Sequence, residues 1–161
     1  MLEDEPGLQV IIVPIGGGSG ASGACIVARA INPSIRVIGV QAEDSPAAYE
    51  SWRQGHLVEV ANRTMAEGLA TGRAFQLPQS IMRQMLADFM LVSEEEILQA
   101  VVWLIERAHT LAEGAGAASL AAAYRLRNEL KGQKVGIVCS GGNVSLEQLK
   151  KALLLPYPIN T

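Results

Sequence analysis

The stretch Gln9-Val10-Ile11-Ile12-Val13-Pro14-Ile15, followed at once by Gly16-Gly17-Gly18-Ser19-Gly20, decides the fold class. Its apolar residues are continuous rather than alternating and rich in β-branched side chains. That pattern reads as a strand buried on both faces, as in a parallel sheet. The residues from Ala21 to Ile31 are Ala-rich and helical in spacing, and Asn32-Pro33 stops them. Strand, glycine turn and helix in that order form the first unit of an α/β fold.

Working outward, Arg36-Val37-Ile38-Gly39-Val40 reads as a second short strand. Ser45-Pro46 reads as an N-cap with proline at the first helical position, opening a helix to about Gln54. From Gly55 to Met82 the chain is irregular. Leu57 to Val60 forms a short extended piece, and Thr64-Met65-Ala66-Glu67 reads as a capping box for one helical turn. Gly68, Gly72 and Pro78 break up the remainder. A third strand lies near Phe89 to Val92. Ser93 and Glu96 form a capping box into a helix from about Glu94 to His109, and another helix runs from about Glu113 to Leu130. Lys134 to Cys139 is a fourth strand, ending in Ser140-Gly141-Gly142-Asn143. Ser145 and Gln148 cap a last helix, which Pro156 and Pro158 end. This order predicts one α/β domain over residues 1–161: an open, mainly parallel sheet with helices on both faces.

Composition excludes several classes. Hydrophobic residues make up 49% of 161 and charged residues 18%, enough for a packed core. A net charge of -3, with no basic run, argues against nucleic acid as a partner. Cys25 and Cys139 are isolated thiols rather than a disulfide framework, which favours a reducing, cytoplasmic setting. The acidic start, Met1-Leu2-Glu3-Asp4-Glu5, lacks the features of a signal peptide. No apolar run reaches the roughly 18 residues that span a bilayer, so no membrane partner is expected.

In an open parallel sheet, ligands bind beyond the carboxyl ends of the strands. Two loops take that position: Gly16 to Gly20 and Ser140 to Asn143. Glycines between a strand and a helix let backbone N–H groups converge on an anion, with the helix dipole behind them. Three readings of the first loop stand. It is a tight turn that binds nothing. Or Gly18-Ser19-Gly20-Ala21-Ser22-Gly23 is a G-x-G-x-x-G dinucleotide fingerprint, with Glu43 or Asp44 following as the acid that pattern asks for. The third is a pyridoxal-phosphate loop.

The third reading is carried by five segments in order. They are Val13-Pro14-Ile15-Gly16-Gly17-Gly18-Ser19, Val37-Ile38-Gly39-Val40-Gln41, Thr64-Met65-Ala66-Glu67-Gly68-Leu69-Ala70, Leu111-Ala112-Glu113-Gly114-Ala115-Gly116-Ala117 and Cys139-Ser140-Gly141-Gly142-Asn143. Together they resemble the C-terminal part of the fold type II (β-family) pyridoxal-phosphate enzymes, most closely the serine/threonine dehydratase (ammonia-lyase) subgroup. The resemblance implies that Gly16, Gly17, Gly18, Ser19 and Gly20 cradle the cofactor phosphate. It also implies that Ser140, with Gly141, meets the pyridine nitrogen, that Glu113 lies near the ring, and that Glu67 lies near the substrate cleft. A serine at the ring nitrogen is neutral and cannot hold a pyridinium as an aspartate would. The ring is then a weaker electron sink, suited to a short-lived carbanion that expels a β-leaving group, as in deamination of serine or threonine.

The departures are as informative. The family's Schiff-base lysine lies in an N-terminal Ser-Phe-Lys segment that this chain lacks. Its only lysines are Lys131, Lys134, Lys150 and Lys151. The expectation is therefore a C-terminal portion of a longer architecture, inactive alone, that associates as a homo-oligomer or with a complementary N-terminal fragment. A non-catalytic assembly module is the remaining alternative. No metal is expected: Gln41 replaces the glutamate by which racemase-like members hold a cation, with only Asp44 near it. His56 and His109 lack ligand-like spacing.

Overall fold

The computed structural model describes residues 1–155. Four strands, β1 (Val10–Pro14), β2 (Arg36–Ala42), β3 (Asp88–Val92) and β4 (Val135–Ile137), form one sheet in the order β3-β2-β1-β4, and every pairing is parallel. The helices are α1 (Ser19–Ile31), α2 (Ala47–Gln54), α3 (Gln76–Met85), α4 (Glu94–Ala108), α5 (Gly114–Arg125) and α6 (Leu146–Leu153), with one 3-10 turn at Glu67–Leu69.

Strand residues alternate between two cores, which is why the first strand had to be apolar throughout. Ile11, Val13, Ile15, Val37 and Phe89 face Ala21, Cys25 and Ala28 of α1, Ala48 of α2 and Met82 of α3. Val10, Ile12, Ile38, Val40 and Val92 face the other way, onto α4, α5 and Ala152 of α6. Helix α5 is buried almost all round, and its alanines, Gly116 and Ser119 permit that close approach to sheet and α4. The predicted open parallel sheet with helices on both faces is the observed fold.

The local differences have physical reasons. Residues 76–85 form a full helix where an irregular stretch was expected. Pro78 sits in its first turn, where the missing N–H removes no helical hydrogen bond. Ser45 does not cap α2; its hydroxyl donates to the Thr71 carbonyl at 3.2 Å, and Pro46 takes the cap position. Thr64 does not pair with Glu67. It donates to the Glu94 carboxylate and accepts the Ala66 N–H at 3.0 Å. Helix α5 stops at Arg125, short of Leu130, and residues 126–132 continue as turns. The extended piece at Leu57 to Val60 is reduced to one antiparallel bridge, Glu59 to Arg73. The capping boxes Ser93/Glu96 and Ser145/Gln148 are both closed. Pro156 and Pro158 lie outside the described residues. Among the described residues no helix is long and apolar enough to cross a membrane.

Arg125 ties the end of α5 to the start of α4. Its Nε donates to Glu96 Oε1 at 2.8 Å, Nη2 donates to the other Glu96 oxygen, and Nη1 donates to the Leu91 carbonyl at 2.6 Å. Burial pushes the Glu96 carboxyl up, but Arg125 and the Ser93 N–H bond its charged form and hold it below the usual carboxylate value. A depressed folded value means stability that is present above the unfolded value and lost as pH falls. Both side chains are over a third exposed, so screening holds the effect below about 1 kcal/mol. Glu96→Gln keeps the capping box and is expected to flatten the loss of stability as pH falls below the usual carboxylate value, in thermal melts.

Candidate functional site

The carboxyl ends of β1 and β4 lie side by side, because β4 pairs directly with β1. The Gly16–Gly20 loop leaves β1 and becomes α1 through Gly18, whose φ of 91° is a left-handed conformation that glycine adopts without strain. No side chain caps α1 and its first turn carries no acid, so its leading N–H groups and dipole suit an anion. Gly17 approaches only the Phe75 ring, and a Cβ on Gly20 would meet nothing within 4 Å. One side of the loop is thus open, with the Phe75 ring at its edge.

The Glu67–Leu69 turn packs against the closed side. A Cβ on Gly16 would overlap the Gly68 carbonyl oxygen. The Thr71 hydroxyl donates to the Gly16 carbonyl at 3.3 Å. The preceding strand of backbone is held by Glu94, which accepts the Met65 N–H at 3.0 Å, and by Gln148, which donates to the Met65 carbonyl at 2.8 Å. Glu67 itself is exposed beside Gly68.

Glu113 joins the third loop to these two. It occupies the N-cap position of α5, but its side chain does not cap its own helix. Instead Oε2 accepts the Asn143 N–H at 3.1 Å, and the Glu113 N–H donates to the Gly141 carbonyl at 3.3 Å. Gly141 has φ 79° and packs its Cα against the Glu113 carboxylate. Gly116 is pressed against the Ser140 and Gly141 carbonyls. A Cβ on Gly68 would lie 2.7 Å from Ala115 Cβ and 3.3 Å from Glu113 Oε1. Gly16, Gly68, Glu113 and Gly141 are therefore successive neighbours, with Ser140 exposed at the end of the row.

Other candidates lie elsewhere. Gln41 is fully buried and accepts the Tyr49 N–H at 3.0 Å, while Glu43 lies 3.5 Å from Arg125. His56 and His109 are exposed. All four lysines are exposed; Lys134 pairs with Glu5 at 2.9 Å and Lys151 with Glu147 at 3.0 Å. Cys139, next to Ser140, is exposed, and Cys25 is buried. Among the described residues no three His, Cys, Asp or Glu side chains gather as a metal site would require. Sequence reasoning missed Thr71, Ser22, Phe75, Pro78 and Met82 around the loop. Only Ser22, four residues after Gly18, carried a local signal for contact with it.

This donor set fits a phosphomonoester: a glycine loop, open backbone and a helix N-terminus free of acids. Comparison with known proteins agrees. A family model described as "Pyridoxal-phosphate dependent enzyme" matches residues 1–141. The chain is 36% identical over 154 residues to the L-threonine ammonia-lyase of Thermotoga maritima, covering 95% of this chain and 38% of that protein. It is 35% identical to the catabolic L-threonine dehydratase of Escherichia coli K12, covering 94% and 47%. Among solved structures, maize serine racemase matches with a TM-score of 0.84 at 32% identity, covering 94% of this chain and 48% of that one. The chain thus spans less than half the length of these three proteins.

Proposed function

The chain belongs to the pyridoxal-phosphate dependent enzyme family, and we propose that it forms the cofactor-holding part of a threonine or serine ammonia-lyase. The observation that carries this reading is the row Gly16–Gly68–Glu113–Gly141, which gathers three strand-end and helix-end segments beside one open glycine loop. Gly16 to Gly20 and the N-terminus of α1 bind the phosphate, with the Ser19 hydroxyl as a further donor. Ser140 presents a hydroxyl to the pyridine nitrogen. Glu113 fixes that serine's loop through Asn143 and Gly141, and Glu67 stands at the rim where the amino acid enters. The cofactor, when bound, supplies an electrophilic carbonyl and an electron-accepting ring.

The lysine this family uses is proposed to come from a complementary segment. Two features support a place for it. Strand β4 is an edge of a parallel sheet, and its residues are only half-buried, whereas such strands are ordinarily covered. Beside it a cavity of about 380 Å³ is lined by Leu2, Ile11, Val27, Ile31 and Val138, with Ile26 also exposed on α1. The relatives' additional length is the occupant proposed for this face. Light scattering across concentrations is expected to show self-association of the chain alone, because the apolar face is open. A monodisperse monomer would count against that.

Titration with pyridoxal phosphate, read by absorbance and calorimetry, tests the cofactor assignment. Saturable binding at one site is expected, and Ser140→Ala is expected to weaken it by about threefold, the loss of one neutral hydrogen bond. Binding of a nicotinamide dinucleotide without binding of pyridoxal phosphate would replace this reading with the dinucleotide one.

A further inference from the structure

We propose that α3 is a clamp that holds the phosphate loop in its anion-binding shape, and that Met82 and Ser22 are its positioning residues. This rests on the cofactor reading above for its ligand, but not for its geometry. The open side of the loop faces away from protein; the side behind Gly18 does not. There a Cβ on Gly18 would lie 2.8 Å from Pro78 Cβ and 3.1 Å from Met82 Cε, so α3 fills the space directly behind the left-handed residue. Ser22, itself buried, donates to the Gly18 carbonyl at 2.8 Å and lies 3.5 Å from the Pro78 carbonyl, which links loop, α1 and α3.

The clamp is itself anchored. Gln79 donates from Nε2 to the Ala48 carbonyl at 2.9 Å, Arg83 to the Ser51 carbonyl at 2.7 Å, and Trp52 Nε1 to the Met82 carbonyl at 3.3 Å. These three bonds fasten α3 to α2. Helix α2 is fastened to the sheet, because Gln41 at the end of β2 accepts the Tyr49 N–H. A continuous path therefore runs from β2 through α2 and α3 to the back of Gly18. A loop of glycines has many conformations, and only some of them converge their N–H groups. Filling the space behind it removes the collapsed ones before the ligand arrives, which is preorganisation in the ordinary sense.

The test compares the unmodified chain with Met82→Ala, Met82→Leu and Ser22→Ala. Amide hydrogen exchange is followed at residues 17–22 and at Ile12 and Ile38 in the sheet, and pyridoxal phosphate affinity is titrated alongside. Met82→Ala is expected to speed exchange in the loop and to weaken affinity, each by about tenfold, as a cavity behind the loop lets it relax. Exchange at Ile12 and Ile38 rises by less than in the loop, since the cavity also lowers the stability of the whole domain. Met82→Leu is expected to restore both, and Ser22→Ala to produce about a threefold change without opening a large cavity. Loop exchange that is unchanged in both Met82→Ala and Ser22→Ala would overturn the clamp. So would acceleration of the sheet together with the loop in Ser22→Ala, since that marks general destabilisation. If the unmodified chain does not bind pyridoxal phosphate, the cofactor reading fails, while the exchange comparison still decides the clamp.

Discussion

Gly16→Ala is expected to lower stability by about 2–4 kcal/mol, within the range of severe overpacking, and to abolish pyridoxal phosphate binding. The new methyl group would overlap the Gly68 carbonyl oxygen, a backbone atom with no rotamer to give. Gly68 cannot retreat, because Ala115 and Glu113 lie directly behind it. The strain must then be relieved by parting the two segments, which also breaks the Thr71 bond to the Gly16 carbonyl. Gly20→Ala is the matched control. That position lies in α1 with open space around it, so stability is expected to hold or rise by a few tenths of a kcal/mol. Thermal melts of the two variants separate close approach from mere glycine content. A Gly16→Ala protein as stable as its parent would show that the two segments are not locked together.

The second large effect concerns turnover. The purified chain is expected to form no 2-oxobutyrate from threonine, since none of its four lysines lies in an enclosed apolar setting. Co-expressed with the N-terminal part of the Thermotoga maritima relative that it does not match, where the family resemblance expects the lysine, it is expected to gain activity of at least about a thousandfold over either part alone. Replacing that lysine in the partner should remove the gain while leaving the complex assembled. Robust deamination by the chain alone would sink the assignment of the lysine to a second segment. A stable complex with bound cofactor and no turnover would sink the proposed division of roles.

The fold was legible where one short segment carried its own explanation. The continuous run at residues 9–15 announces a strand with two covered faces. Ser93 and Ser145 announce their helices, because each partner lies three residues on. What was hidden depends on residues distant in sequence. Thr64 has the spacing of a cap, yet Glu94 captures its hydroxyl from 30 residues away. Ser45 is drawn to Thr71 in the same way. Helix α3 was obscured because Pro78 reads as a breaker until its place in the first turn is known. The candidate site followed the same division. Gly16 to Gly20 and Ser140 to Gly141 stand out as strand-end glycine loops. Glu113 alone looks like an ordinary acid in a first helical turn, and only the fold reveals that its carboxylate reaches across to Asn143. Met82 gives no local sign that it backs Gly18.

The two cysteines also have a practical side. Cys25 is buried, and burial pushes its thiol up to about 11, so near neutral pH it is almost wholly unreactive. Cys139 is exposed and one residue from Ser140. Its thiol is also raised by partial burial, so mildly alkaline conditions suit it. A thiol-directed fluorophore will therefore attach at a single point beside Ser140, the serine proposed to meet the ring nitrogen. The unaltered chain thus carries its own place for an optical reporter, able to register ligand arrival and partner docking without an engineered handle.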